Sequence, residues 1–143
     1  MLQLNEHLCF SLYTCSRAIS RLYRPLLEEM GITYPQYLVL LSLWESNGRT
    51  VKELGEQLDL DSGTLTPLLK RMEMNELIRR VRSTEDERVV LVLLTEKGLA
   101  LKEQSDCIPS ELLSASGMSI EDVSELNKTI KELVEKVVQT SGK

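Results

Sequence analysis

The chain has 143 residues, of which 42% are hydrophobic and 27% charged, and its formal net charge is −5. This size favours one soluble globular domain, and the longest apolar run, Val89–Leu94, is far shorter than the ~20 residues of a membrane-spanning helix. The N-terminus carries no basic segment followed by an apolar one, so we expect no secretory leader, a cytoplasmic location and no membrane contact.

Three cysteines and a single histidine limit the disulfide and metal chemistry of the chain. Cys9, Cys15 and Cys107 are an odd number, which argues against the disulfide framework of a small secreted protein. There is no CxxC motif and His7 is the only histidine, so the sequence predicts no metal site and no cofactor. The thiols are expected to be either buried structural groups or redox-active ones.

The first third of the chain predicts two helices. Apolar residues at helical spacing indicate a helix from Asn5 to Met30, and Gly31 ends it. Thr33 is expected to cap a second helix, with Pro35 in its first turn. This second helix is apolar almost all round, which is typical of a buried central helix.

The next segment has the pattern of a helix-turn-helix. Thr50 and Glu53 form a capping box that opens a short helix through Leu58. After a turn at residues 59–61, a further helix is predicted from about Ser62 to Asn75. A short helix, a tight turn and a second helix with a polar outer stripe together favour a DNA-binding motif.

Within that second helix, apolar and polar residues form separate stripes. The apolar stripe comprises Leu65, Leu68, Leu69 and Met72. The polar stripe comprises Ser62, Thr66 and Lys70. Pro67 fits the first turn only if the helix begins near Thr64; otherwise it bends the helix.

A hairpin follows directly. Ile78–Ser83 and Arg88–Leu94 are rich in valine and leucine, and the polar residues 84–87 join them as a turn. A hairpin placed immediately after a helix-turn-helix predicts a winged motif. The acidic excess of the chain lies elsewhere, for example over residues 121–135.

The remainder of the chain is predicted to be helical. Thr95 caps a helix that is interrupted near Pro109, and Ser119 caps a last amphipathic helix. The predicted fold class is therefore mainly α (α+β), a winged helix-turn-helix within a single domain over residues 1–143.

The recognition helix and the hairpin supply the candidate DNA contacts. Small hydroxyl side chains allow close approach to base edges, and an arginine at a wing tip suits the narrow minor groove. Asp86 is placed to orient the guanidinium of Arg88 by a charge-assisted hydrogen bond. The candidate contacts are Asp61, Ser62, Thr64, Thr66, Lys70, Arg71, Arg82, Asp86 and Arg88. By themselves, serine and threonine near a helix start are more often caps than base contacts, and arginine and lysine on an exposed face are usually just solvated.

Several segments carry a resemblance to a known family. Asp86-Glu87-Arg88, followed by a strand and Leu94-Thr95-Glu96-Lys97-Gly98, is similar to the wing signature of MarR-type regulators. Leu8–Tyr13, Ile32–Tyr37 and Leu60–Arg71 resemble the redox-sensing branch of that family that includes OhrR, MgrA and SarZ.

The resemblance implies a homodimer that binds a pseudo-palindromic site in double-stranded DNA. Residues 33–96 would be the winged DNA-binding part, and residues 4–31 and 97–140 the dimerisation helices. The resemblance also implies that Cys9 senses organic hydroperoxides and that Tyr23 and Tyr34 of the partner subunit hydrogen-bond to its thiol. Oxidation to a sulfenic acid and then to a disulfide would release the repressor from its operator.

Two partners are open for the oxidised Cys9. Cys15 is excluded while the helix stands, because six residues span about 9 Å and a disulfide needs Cα atoms within about 7 Å. Cys107, from the other subunit, would give the intersubunit bond of two-cysteine members of the branch. A small thiol would take its place in one-cysteine members.

Other functions remain alternatives at this point. A MarR-type repressor controlled by a small aromatic ligand would not need Cys9. A thiol peroxidase would use Cys9 as nucleophile, but no histidine accompanies it, so we expect no enzymatic activity and no catalytic residues. A purely helical interaction protein would leave the hairpin unexplained.

Overall fold

A computed structural model describes residues 1–141, which form seven α-helices and one three-stranded sheet. They fall into two compact units that divide between Asp106 and Cys107. The helices are α1 (Leu8–Glu29), α2 (Tyr34–Glu45), α3 (Val51–Leu58), α4 (Ser62–Met74), α5 (Glu96–Ser105), α6 (Ile108–Ser116) and α7 (Ile120–Thr140). The strands are β1 (Arg49–Thr50), β2 (Ile78–Arg82) and β3 (Val90–Leu94). In this part of the chain, no helix is both long and apolar enough to span a membrane.

Helix α1 begins later than its sequence pattern predicts. Leu4–Glu6 form a separate 3₁₀ turn, and the helix starts at Leu8. Gly31, at φ +72°, ends the segment as expected, because glycine adopts the left-handed conformation without steric cost. Leu27 is buried, whereas Leu8 is 60% exposed, so only the C-terminal half of α1 packs into its own unit.

Helix α2 is the centre of the first unit, as its all-round apolar pattern predicts. Thr33 caps it: the Gln36 backbone N–H donates to the Thr33 hydroxyl over 3.4 Å, and the Gln36 side chain accepts from the Thr33 N–H over 3.1 Å. The fully buried residues of this helix are Val39, Leu40 and Leu43.

Helices α3 and α4 form the predicted helix-turn-helix. Thr50 opens α3, with the Glu53 backbone N–H donating to its hydroxyl over 3.0 Å. Helix α4 begins at Ser62, so Pro67 lies inside it and not in its first turn. The missing N–H of Pro67 leaves the Gly63 carbonyl without its helical donor, and the exposure of Gly63 lets water replace it.

The sheet has the strand order β1-β3-β2, with antiparallel pairing throughout. Strands β2 and β3 are the predicted hairpin, and Arg80 and Arg82 pair with Val92 and Val90. Strand β1 is not predicted from the sequence, because two residues are too few for an alternating pattern. Arg49 of β1 pairs with Val92 of β3, so Val92 lies between an arginine of each edge strand.

The end of α4, the start of β2 and the start of α5 are joined tightly. Glu76 has a positive φ of 62°, and the Leu77 N–H donates to the Met72 carbonyl over 3.0 Å. The Thr95 hydroxyl donates to the Glu76 carbonyl over 2.5 Å. A Cβ added at Gly98 would overlap the Leu77 carbonyl oxygen, so this approach requires glycine.

The second unit contains α6 and α7. The helical break predicted near Pro109 falls at residues 106–107, and Pro109 stands in the first turn of α6. Ser119 caps α7 as predicted, accepting from the Asp122 N–H over 3.1 Å. Exposed apolar residues run along α7: Ile120, Leu126, Leu133, Val134, Val137 and Val138.

Candidate nucleic-acid interface and thiol site

Helix α4 turns one face inward and leaves the other in solvent. Its apolar stripe is buried, with Leu69 and Met72 fully so. Ser62, Thr66 and Lys70, of the predicted polar stripe, are all exposed, as are Thr64 and Arg71. Short hydroxyl side chains in the first turns, followed by positive charge, form a surface that can approach base edges and phosphates.

Asp61, predicted as a DNA contact, has a structural role in this chain. Its carboxylate oxygen Oδ1 accepts the Thr64 backbone N–H over 2.8 Å, which makes Asp61 the N-cap of α4. The cap determines where the helix begins. It therefore sets which hydroxyl groups stand on the outer face.

At the tip of the wing, Asp86 holds Arg88. Arg88 Nε and Nη2 each lie 3.2 Å from a carboxylate oxygen of Asp86, and the Arg88 backbone N–H also donates to that carboxylate over 3.1 Å. These hydrogen bonds hold the pKa of Asp86 below its usual value. The Arg88 side chain is still 90% exposed, so its charge is oriented and accessible.

Arg82 stands at the base of the same turn. Its Nη1 donates to the Glu87 main-chain carbonyl over 2.8 Å, which ties the two ends of the turn together. The side chain thus braces the loop that carries Asp86 and Arg88. All predicted DNA-contact residues lie in the first unit, on α4, at its N-cap or on the wing.

The structure separates two neighbouring arginines that the sequence presents alike. Arg79 is exposed, whereas Arg80 is turned onto Glu73 of α4. Arg80 Nη2 and Nε lie 3.0 and 3.3 Å from Glu73 Oε1, and the Arg80 backbone N–H donates to Oε2 over 3.1 Å. These bonds hold the pKa of Glu73 below its usual value. No spacing in the sequence indicates this pair.

Tyr23 and Tyr34, the predicted partners of the thiol, lie together. Their ring centroids are 6.2 Å apart, and Tyr23 is only 8% exposed. Burial, with a contribution from Tyr34, raises the pKa of the Tyr23 phenol above its usual value. Tyr23 therefore remains a protonated hydrogen-bond donor at neutral pH.

Cys9 is far from Tyr23 of its own chain. Both residues lie on α1, fourteen positions apart, which at 1.5 Å per residue is roughly 21 Å. Cys9 is exposed. A single chain thus brings the two tyrosines together but does not bring the cysteine to Tyr23.

Tyr37 is a third member of the tyrosine cluster that the sequence did not reveal. Its ring centroid lies 6.4 Å from those of both Tyr23 and Tyr34, and it is 4% exposed. Tyr34 and Tyr37 are three positions apart on α2, a spacing that places side chains on one helix face. That spacing was the available signal.

A cavity of about 310 Å³ lies beside this cluster, between α1 and the start of α2. It is lined by Ser20, Arg24, Leu27, Glu28, Ile32, Thr33, Tyr34 and Pro35.

The two cysteines other than Cys9 do not line this cavity. Cys15 is exposed on α1, and Cys107 is exposed next to the first residue of α6. Among residues 1–141, no three histidine, cysteine or acidic side chains gather as metal ligands.

The proteins to which this chain is similar are transcriptional regulators. Residues 21–105 match the model of the protein family described as transcriptional regulator SarA/Rot. The chain is 53% identical over 138 residues to the organic hydroperoxide resistance transcriptional regulator of Bacillus subtilis (strain 168), covering 96% of this chain and 94% of that protein.

Two solved structures of the protein AbfR are also similar. Reduced AbfR bound to DNA aligns with a TM-score of 0.72 and 41% identity, over 92% of this chain and 96% of that chain. Disulfide-formed AbfR aligns with a TM-score of 0.63 and 40% identity, over 89% of each chain.

Proposed function

The chain belongs to the MarR-type winged-helix transcriptional regulators, and on that premise we propose that it is a DNA-binding repressor released by oxidation of Cys9. Organic hydroperoxides are the proposed signal. The similar Bacillus protein is named for organic hydroperoxide resistance, and AbfR has a DNA-bound reduced form and a disulfide form. The proposed role is regulatory and not enzymatic.

The exposed polar face of α4 carries the DNA-binding part of the proposal. Ser62, Thr66 and Lys70 have no role in the core, yet they share a face whose opposite side is fully packed. Arg88, held by Asp86, supplies a second contact at the wing. An α-helix for the major groove and an arginine for the minor groove are the two elements that a winged motif uses to bind duplex DNA.

A homodimer is the proposed assembly, with residues 33–96 binding DNA and residues 4–31 and 97–140 holding the subunits together. The apolar residues of α7, and Leu8 and Tyr13 on α1, are exposed in the single chain. Apolar surface of this extent on terminal helices favours burial against a second copy. A dimer presents two copies of α4 to successive half-sites of DNA.

The thiol site is proposed to form between the subunits. Tyr23 cannot reach Cys9 of its own chain across roughly 21 Å of helix, whereas a second copy can supply it. The phenols of Tyr23 and Tyr34 of the partner subunit would donate hydrogen bonds that favour the Cys9 thiolate. The cavity beside Tyr34 offers room for the hydroperoxide.

The proposed chemistry balances as a two-electron oxidation. The Cys9 thiolate attacks the outer oxygen of the hydroperoxide, the O–O bond breaks, and an alcohol leaves after protonation, which yields Cys9 sulfenic acid. A second thiol then attacks the sulfur, a disulfide forms and water leaves. That thiol is Cys107 of the partner subunit or a small cellular thiol.

Release from DNA would follow from a change in subunit packing. A sulfenic acid or disulfide at Cys9 adds bulk where the proposed interface places α1 of one subunit against the tyrosines of the other. The half-sites must stay about one helical turn apart, so a shift of a few ångströms misplaces one recognition helix.

A gel-shift titration tests the proposal with a duplex that the wild-type protein selects from a random pool. Cumene hydroperoxide should release the wild-type protein and the Cys15→Ser control, whereas Cys9→Ser should stay bound. Release of Cys9→Ser by peroxide would refute the redox mechanism. Release of all three proteins by a phenolic compound alone would favour the repressor controlled by an aromatic ligand. Catalytic turnover of peroxide would favour the thiol peroxidase.

Intact-mass measurement without reductant identifies the second thiol. A covalent dimer after peroxide, absent in Cys107→Ser, assigns the disulfide to Cys107. A monomer carrying a small-thiol adduct, formed only when that thiol is added, assigns it to the one-cysteine route.

A further inference from the structure

The wing sheet is attached to two different helices at the same level. Val92 of β3 pairs with Arg49 on one side and with Arg80 on the other. Arg49 Nε donates to the Ser42 carbonyl of α2 over 3.1 Å. Arg80 binds Glu73 of α4 through three hydrogen bonds, so one edge of the sheet is tied to the central helix and the other to the recognition helix.

We propose that the Glu73–Arg80 pair positions the wing relative to α4, so that Arg88 and the recognition helix engage DNA together. Glu73 and Arg80 are positioning residues here, not DNA contacts. The inference rests on the proposed DNA-binding function and names residues that act through the wing.

A small rotation of the sheet at the Glu73–Arg80 pair displaces Arg88 at the wing tip by a larger distance. Arg88 lies four residues before Val92, in the turn, so the chain places it up to roughly 13 Å from the row of paired residues. A tilt of about 10° at that row moves the tip by about 2 Å, which exceeds the tolerance of a hydrogen bond. Arg80 Nε and Nη2 both bind Glu73 Oε1, and the Arg80 backbone N–H binds Oε2, so both carboxylate oxygens restrain the strand against such a tilt.

The neighbouring arginine provides a matched control. Arg79 has the same charge and lies on the same strand, but the alternation of strand residues points it to the opposite face, where it is exposed. Arg79→Gln therefore removes the same charge without releasing the wing. Arg80→Lys keeps the positive charge but removes the guanidinium group that binds Glu73 through two nitrogens.

The test is a double-mutant cycle on DNA affinity, with the duplex that the wild-type protein selects from a random pool. In the wild-type protein, Arg88→Ala should weaken binding by about tenfold or more. In a Glu73→Gln background the same substitution should cost less than about twofold, because a displaced wing makes no contact to lose. In the Arg79→Gln background the full penalty should remain.

Glu73→Gln alone should weaken binding by about tenfold and lower the slope of log affinity against log salt, as the loss of a wing contact does. Arg80→Lys should do the same although its charge is unchanged. The active fraction of each variant is fixed by stoichiometric titration, so poor folding cannot imitate the result. If Glu73→Gln does not fold, Arg80→Lys carries the same cycle.

If Arg88→Ala weakens DNA binding in the Glu73→Gln or Arg80→Lys background as much as in the wild-type protein, the positioning role is wrong. The proposed DNA-binding function would still stand. A wild-type protein that enriches no duplex from the pool would overturn the proposed function, and this inference with it. The two failures are therefore distinguishable.

Discussion

Asp86 binds the guanidinium of Arg88 through both carboxylate oxygens, at 3.2 Å each, while the Arg88 side chain remains 90% exposed. The acid therefore orients an arginine that it does not hide. Because an unrestrained arginine must lose rotamer freedom on binding, Asp86→Asn should weaken DNA affinity by roughly threefold to tenfold, measured by fluorescence anisotropy.

Glu85 supplies the control for that prediction. Glu85→Gln removes the same negative charge from the wing turn and leaves the Asp86–Arg88 pair intact, so it should strengthen binding slightly by reducing repulsion of phosphate. Equal strengthening by Asp86→Asn would show that charge, and not orientation, is what Asp86 contributes.

Mixed dimers test whether the tyrosines act across the subunit interface. One protomer carries Cys9→Ser and its partner carries Tyr23→Phe with Tyr34→Phe, so the remaining Cys9 faces intact tyrosines of the other chain. Sulfenic acid formation with cumene hydroperoxide should then match a dimer of wild-type and Cys9→Ser chains, in trapping experiments with dimedone.

The converse mixed dimer places all three substitutions on one chain and none on the other. Its only Cys9 then faces phenylalanines, and oxidation should slow by about tenfold or more, because hydrogen bonds to a charged group are lost. Identical rates in the two mixed dimers would contradict the intersubunit site.

Gly98→Ala should destabilise the first unit. The added Cβ would overlap the Leu77 carbonyl oxygen, a backbone atom already bonded to the Thr95 N–H over 3.1 Å. Overpacking of this kind costs about 1–3 kcal/mol, which thermal denaturation followed by circular dichroism would detect. Gly63→Ala, on the exposed face of α4, should cost much less, because the added Cβ meets only Asp61 Oδ1 at 3.3 Å and alanine favours helix.

The stability contributed by Glu73 should depend on pH. Its hydrogen bonds with Arg80 hold the pKa of the folded carboxyl below the usual 4.5, so this stabilisation is present above that pH and is lost as the pH falls through the folded value. Glu73→Gln should lower the free energy of unfolding at pH 7 by about 0.5–1 kcal/mol relative to the wild-type protein. This difference should disappear in acid, as thermal denaturation at the two pH values would show. In an Arg80→Gln background, Glu73→Gln should not change the free energy of unfolding at either pH.

The helices were readable from the sequence because their signals are local. Thr33, Thr50 and Ser119 cap the helices that they were predicted to cap, through hydrogen bonds to residues three positions on. The wing was readable for the same reason, since β2 and β3 are neighbours joined by a polar turn. Strand β1 was missed, because its two residues pair only with a strand more than forty positions away.

The candidate site likewise contains residues that local spacing predicts and a pair that it does not. The outer face of α4 and the Asp86–Arg88 pair follow from spacings of two to four residues, so the sequence predicts them well. Glu73 and Arg80 are separated by the end of a helix and a reversal of the chain, and no periodicity connects them.

Local sequence patterns specify which faces are polar, where helices begin and which basic residues stand on the wing, because these features depend on neighbours within one or two turns. Local patterns do not specify that Arg80 is bound to α4 while Arg79 is exposed, or that Tyr37 joins Tyr23 and Tyr34. Those relationships depend on how separate elements pack, and packing selects among side chains that are chemically equivalent in the sequence.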